Sequence, residues 1–133
     1  MPQDTQSSLQ PLFEAALKVQ AYAHAPYSTF KVGAAIKADD GNLYVGCNVE
    51  NVSYPLGQCA EASAIGAMIS QGAKRIEQVM IVSPNSKPCP PCGGCRQKLR
   101  EFASPQTPVH LATRDGKVET LTLGELLPKA FDM

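Results

Sequence analysis

Apolar residues recur along this chain at two different spacings, and the changes of spacing mark out its elements. Across residues 8–24, Leu9, Leu12, Phe13, Ala16, Leu17 and Ala21 fall on one face of a helix. Ser7 or Ser8 is placed to cap it, and the HAPYS stretch at 24–28 breaks it. Residues 30–36 form a short apolar strand. The DDGN stretch at 39–42 reads as a hairpin turn, and 43–49 as the returning strand. After a loop at 51–58, residues 59–71 are rich in Ala, Ile and Met and predict a second helix, with Gly72 to end it. A compact strand at 79–82 leads into a loop dense in proline and glycine. A third helix covers 92–102. Strands at 109–113 and 118–121 flank a turn at Asp115-Gly116, and a short helix at 124–127 closes the pattern.

The order is α-β-β-α-β-α-β-β. Strands alternating with helices predict an α/β fold of three layers, α-β-α, around a five-stranded mixed sheet. With 133 residues and neither a repeat nor a linker, 1–133 is expected to be a single domain.

Charge narrows the function. Twelve basic and twelve acidic residues balance, so nothing favours a nucleic-acid backbone as partner. The MPQDTQSSLQ start lacks the cationic and apolar runs of a signal peptide, and no apolar stretch is long enough to cross a bilayer. The expected location is cytoplasmic, where thiols stay reduced. Five cysteines, three of them clustered, then point to metal or catalysis rather than disulfides.

The cluster is KPCPPCGGCRQ at 87–97, which holds two overlapping Cys-x-x-Cys pairs. A metal-binding thiolate is steadied by backbone N–H groups just ahead of it. Cys89 is followed by Pro90 and Pro91, which have no N–H to give. Cys92 is followed by Gly93, Gly94 and Cys95, which all do, and it opens the third helix, where free N–H groups and the helix dipole favour a thiolate. Cys92 and Cys95 are therefore the expected pair, with Cys89 a bystander. A third ligand is available in QCAEAS at 58–63, where Cys59 starts the second helix. Glu61, two residues on, is placed beside the open position rather than in it. Three protein ligands with a free carboxylate nearby are the arrangement of a catalytic zinc and its proton shuttle. Two other readings stay open. One is a redox pair, which the helix order does not fit. The other is a closed, non-catalytic site in which Cys89 joins as a fourth thiolate.

Cys-x-Glu and Pro-Cys-x-x-Cys, each at a helix start, form the signature of zinc-dependent deaminases. With PYSTFKVGAA (26–35), GCNVENVSYPLGQCAE (46–61), PCGGCRQ (91–97) and ELLPKAF (125–131), the chain resembles the small homotetrameric cytidine deaminases with three cysteine ligands. The resemblance implies hydrolytic deamination of cytidine and 2′-deoxycytidine, with one Zn²⁺ per subunit on Cys59, Cys92 and Cys95. It implies that Glu61 takes a proton from the attacking water, delivers it to ring nitrogen N3 and helps ammonia leave. Backbone near Ala60 and Cys92 would hold the pyrimidine edge, Asn48 and Glu50 the ribose 3′-hydroxyl, and Phe30 would pack on the nucleoside. In such a homotetramer the active sites are shared: Tyr54 would reach the 5′-hydroxyl side from a second subunit, and Phe131 would stack on the base from a third.

Plainer roles compete. Asn48 and Glu50 could cap a strand end, and Phe30, Tyr54 and Phe131 could be ordinary packing. Cys47, His24 and His110 are expected to be structural, and Lys98 and Arg100 to be solvated. A modified aminopyrimidine nucleoside such as blasticidin S is the alternative substrate. One position departs from the pattern. Many relatives carry arginine after the glutamate, to drain charge from the thiolates; here it is Ala62. That leaves the two helix dipoles, Arg96 or a less acidic water to answer the charge, with Arg96 the preferred candidate because it directly follows a ligand.

Overall fold

The computed structural model describes residues 2–133, with side chains described from Leu9 onward. Its elements are α1 (Pro2–Gln20), β1 (Gly33–Ala38), β2 (Leu43–Cys47), α2 (Ala60–Ser70), β3 (Ile76–Ser83), α3 (Gly93–Phe102), β4 (Pro108–Thr113), β5 (Val118–Thr122) and α4 (Leu123–Leu126). A single 3₁₀ turn, Tyr54–Leu56, lies between β2 and α2. The five strands form one sheet in the order β2-β1-β3-β4-β5. β1 runs antiparallel to both β2 and β3, β3 and β4 are parallel, and β5 is antiparallel to β4. The mixed sheet expected from the element order is the one observed.

Strand alternation sorts the core into two layers. Ala34, Ile36, Val79, Ile81, Val109 and Leu111 pack with Ala64 and Met68 of α2, Leu99 of α3 and Leu126 of α4. Their neighbours Ala35, Met80, Val82 and Ala112 face the other way and pack with Leu12 and Ala16 of α1. Leu12, Met68, Met80 and Leu99 are fully buried, each contributing about 2 kcal/mol of hydrophobic stabilisation. Two glycines let the layers close. A Cβ on Gly33 would lie 2.1 Å from the Ala16 carbonyl of α1, and one on Gly46 would lie 2.3 Å from the Ala64 nitrogen of α2. Gly46 thus lets the first turns of α2 rest directly on β2.

Several boundaries differ from the sequence reading. α1 begins at Pro2, so Ser7 and Ser8 lie inside it rather than capping it. Pro11 also lies within it, where it has no N–H for the Ser7 carbonyl. β1 starts at Gly33 rather than residue 30, because the Asn48 side chain takes the place of strand pairing there. Its Oδ1 accepts from the Val32 N–H at 2.8 Å and its Nδ2 donates to the Phe30 carbonyl at 2.8 Å. β3 begins at Ile76, ahead of its apolar run.

Candidate active site

The first turns of α2 and α3 converge beyond the end of β3. Cys59 is the N-cap of α2 and Cys92 the N-cap of α3, and both have extended backbones. Cys92 Sγ accepts from the Cys95 N–H at 3.4 Å, the bond of an N-cap side chain to the first turn of its helix. The sulfurs of Cys59, Cys92 and Cys95 lie within 4.8 Å of one another. Tetrahedral zinc with Zn–S bonds of about 2.3 Å sets sulfurs about 3.8 Å apart, so the cluster is of the right size.

The protonation of Cys59 and Cys95 makes the same point. Cys59 is lowered to about 6, chiefly because the Cys95 thiol donates to it, with Cys92 and the Lys98 cation adding to the effect against the cost of burial. The same bond to Cys59, and then burial, pushes Cys95 up. Three thiolates at this spacing need a cation among them, and a zinc ion meets that need. Cys89 is not in the converging set among the described residues; its Sγ lies 3.7 Å from the Pro90 carbonyl.

The cysteines open into a cavity of about 300 Å³, lined also by Phe30, Val32, Asn48, Ala60, Glu61, Ile81, Ser83 and Cys89 to Pro91. Glu61, in the first turn of α2, is 4% exposed. Burial pushes its carboxyl up, and the negative charge of Cys59 adds to that. A carboxyl held above its usual range and beside a metal cluster is suited to passing a proton in either direction.

The residues singled out in the sequence divide into three groups. Phe30, Asn48, Ala60, Glu61 and the three cysteines share this cavity. Glu50 and Tyr54 line a second cavity of about 330 Å³ with Tyr27, Ser28, Asn51 and Gly57. There the Glu50 carboxylate accepts from the Tyr27 N–H at 2.9 Å, the Ser28 N–H at 3.1 Å and the Ser28 hydroxyl. The hydroxyl bond, with the two backbone bonds, holds Glu50 below the usual carboxylate range. The Tyr54 ring sits 5.7 Å from that of Tyr27, tilted by 57°. Phe131 lies apart from both, in a surface depression with Ala62, Gln97 and Phe102. Gln97 holds its backbone, donating to the Phe131 carbonyl at 3.0 Å and accepting from its N–H at 3.2 Å.

Arg96 does not serve the thiolates as expected. Its Nε donates to the Pro91 carbonyl and its Nη1 to that of Leu126, each at 2.8 Å, tying the cysteine loop to α4. The N-termini of α2 and α3, which Cys59 and Cys92 cap, and the Lys98 cation, which helps lower Cys59, are the groups placed to offset that charge. Val32, Ile81 and Ser83 escaped the sequence reading. Alternation along β3 was the available signal, since Val79, Ile81 and Ser83 share a parity.

Comparison with known proteins agrees with this geometry. Residues 6–111 match the cytidine and deoxycytidylate deaminase zinc-binding region. A cytidine deaminase of Sporosarcina psychrophila is 41% identical over 114 residues, covering 86% of this chain and 84% of that protein. One from Mycobacterium tuberculosis is 42% identical over 118 residues, covering 89% and 85%. The crystal structure of cytidine deaminase from Burkholderia pseudomallei superposes with a TM-score of 0.87 at 41% identity, covering 91% of this chain and 97% of that one. With the cysteine cluster at the head of two helices and a match that spans most of its length, this chain belongs to the family of the cytidine and deoxycytidylate deaminase zinc-binding region.

Proposed function

We propose that this protein is a zinc-dependent hydrolase that converts cytidine and 2′-deoxycytidine to uridine and 2′-deoxyuridine with release of ammonia. The observation that carries the reading is the buried Glu61 carboxyl in one cavity with three convergent cysteines. Bound by Cys59, Cys92 and Cys95, zinc supplies the Lewis acidity that makes water a nucleophile at neutral pH.

Glu61 supplies the proton chemistry. Its carboxylate takes a proton from the water that attacks C4 and delivers it to N3. Glu61 then carries the proton of the new C4 hydroxyl to the exocyclic nitrogen, the C4–N bond breaks as the C4=O carbonyl forms, and ammonia departs. The cavity wall of Phe30, Val32 and Ile81 holds the ring and excludes bulk water. Ala60 at the head of α2 offers its backbone to the pyrimidine edge. Asn48 has spent one amide hydrogen on Phe30 and one lone pair on Val32, and it keeps one of each for a ribose hydroxyl. Glu50 serves the same sugar once its bond from Ser28 opens.

The proposed enzyme is a single domain over 1–133 that acts as a homotetramer in the cytoplasm. Tyr54 and Phe131, 73% and 75% exposed, then complete the sites of neighbouring subunits. No helix among the described residues is long and apolar enough to cross a membrane.

The deciding experiment follows loss of the cytosine chromophore and release of ammonia by zinc-quantified protein. Turnover is expected, and Glu61→Gln is expected to keep zinc while losing about 10²- to 10⁴-fold in kcat. Full activity in that variant, or no turnover by the parent protein, would overturn the reading.

A further inference from the structure

Among the described residues, one buried side-chain polar atom has no hydrogen-bond partner, and it is Ser83 Oγ. Away from the cavity, the buried polar side chains have partners within the chain. Gln20 bridges to the Lys31 carbonyl, His110 is held by Gln78 and Thr120, Thr107 accepts from Ser104, and Thr113 donates to Asp115. A buried hydroxyl left alone is destabilising, so an orphan of this kind calls for a partner from outside the chain.

Its position says what that partner is. Ser83 is the last residue of β3, 1% exposed, with the parity of Val79 and Ile81. It therefore faces the α2–α3 layer and lines the same cavity as Glu61 and the three cysteines. In open α/β sheets ligands meet the chain at such strand ends. The inner wall of the cavity is formed by Ser83, Glu61 at 4% exposure and Cys95 at 1%. The outer part is formed by the half-buried Phe30 and Asn48. A nucleoside that places its reacting ring against Glu61 brings its base, not its sugar, to the depth of Ser83.

We propose that Ser83 is a base-recognition residue whose hydroxyl hydrogen-bonds the polar edge of the aminopyrimidine ring. The inference rests on the proposed nucleoside deaminase activity and extends it. A hydroxyl both donates and accepts, so it can keep a bond to the ring while the polar edge changes from amine to carbonyl. The cost of the orphan in the free protein is recovered on binding.

The test reads stability and catalysis together in Ser83→Ala, with cytidine and 2′-deoxycytidine as probes. Free Ser83→Ala should melt no lower than the parent protein, since it loses an unpartnered hydroxyl and no bond. Its kcat/KM should fall by about 3- to 10-fold, the worth of one neutral hydrogen bond, and by the same factor for both nucleosides. Unchanged kcat/KM would overturn the assignment. So would a lowered melting temperature with normal turnover, because the hydroxyl would then serve the fold. A fall confined to cytidine would place the contact on the 2′-hydroxyl and overturn base recognition. Absence of turnover in the parent protein would instead overturn the deaminase reading itself, and this proposal with it.

Discussion

The two cavities beside β2 are nearly equal in volume, about 300 and 330 Å³, yet they are built from different material. The cysteine cavity is walled by strand ends and by the heads of two helices. The Glu50 cavity is walled by loop residues, with Tyr27 and Tyr54 both exposed. The first holds a buried carboxyl, a buried thiol and a buried hydroxyl in place through packing. The second holds an exposed carboxylate through bonds to the loop next to it. Groups that must act on a reacting atom are fixed by the sheet and its helices, where a displacement would disturb the core. Groups that meet the outer part of a ligand can sit on loops, which leaves them free to meet other chains as well.

The sharpest way to break this contrast is to remove a thiolate. Cys92→Ser replaces a thiolate ligand by a hydroxyl that still caps α3, and zinc affinity should fall by more than the roughly 10- to 100-fold typical of supporting residues, taking turnover with it. Cys89→Ser, which changes a sulfur in the same cavity but outside the cluster, should keep stoichiometric zinc and normal turnover. Metal analysis of the two variants side by side reads both, and loss of zinc in Cys89→Ser would show that the cluster is wrongly bounded.

A smaller effect tests the open rim. Tyr54→Ala removes a ring that is 73% exposed, so unfolding of the isolated chain should change by no more than about 0.5 kcal/mol. If subunits share their sites, kcat/KM should nevertheless fall by about tenfold, the scale of one interface anchor. An active monomer by light scattering, indifferent to Tyr54→Ala, would confine the working groups to a single chain.

The smallest effect lies away from both cavities. His110 bonds Gln78 through Nε2 and Thr120 through Nδ1, both at 2.8 Å, and burial holds it below its ordinary value. Protons then bind the unfolded chain more readily than the folded one. The stability that His110 contributes is whole above its unfolded value near pH 6.5 and is lost as pH falls below it. The melting temperature of zinc-loaded protein should therefore decline on acidification through that range. The decline should be shallower in His110→Gln, and an identical slope in both would remove His110 as its source.

Much of this molecule is legible in the residues themselves. The element order followed from apolar spacing, because strands at period two and helices near period 3.6 cannot be exchanged without exposing the core. The register of the metal pair followed from local covalent chemistry, since Pro90 and Pro91 have no N–H and Gly93, Gly94 and Cys95 do. Where the reading was wrong, the reason was contact between distant segments. Arg96 sits next to a ligand in sequence, yet its guanidinium turns to carbonyls of the cysteine loop and of α4. The start of β1 moved because a side chain from beyond β2 took over its hydrogen bonds.

The sequence alone determined the α/β pattern, the Cys92–Cys95 pair and the carboxyl two residues beyond Cys59, because each depends on neighbours within a turn or a strand. Only the tertiary structure decided that Glu61 is buried, that Ser83 faces the cysteines, and that Glu50 and Phe131 stand outside their cavity. Those facts depend on how closely α2 rests on β2 over Gly46 and where α3 meets α2, distances set by packing between layers rather than by any local run of residues.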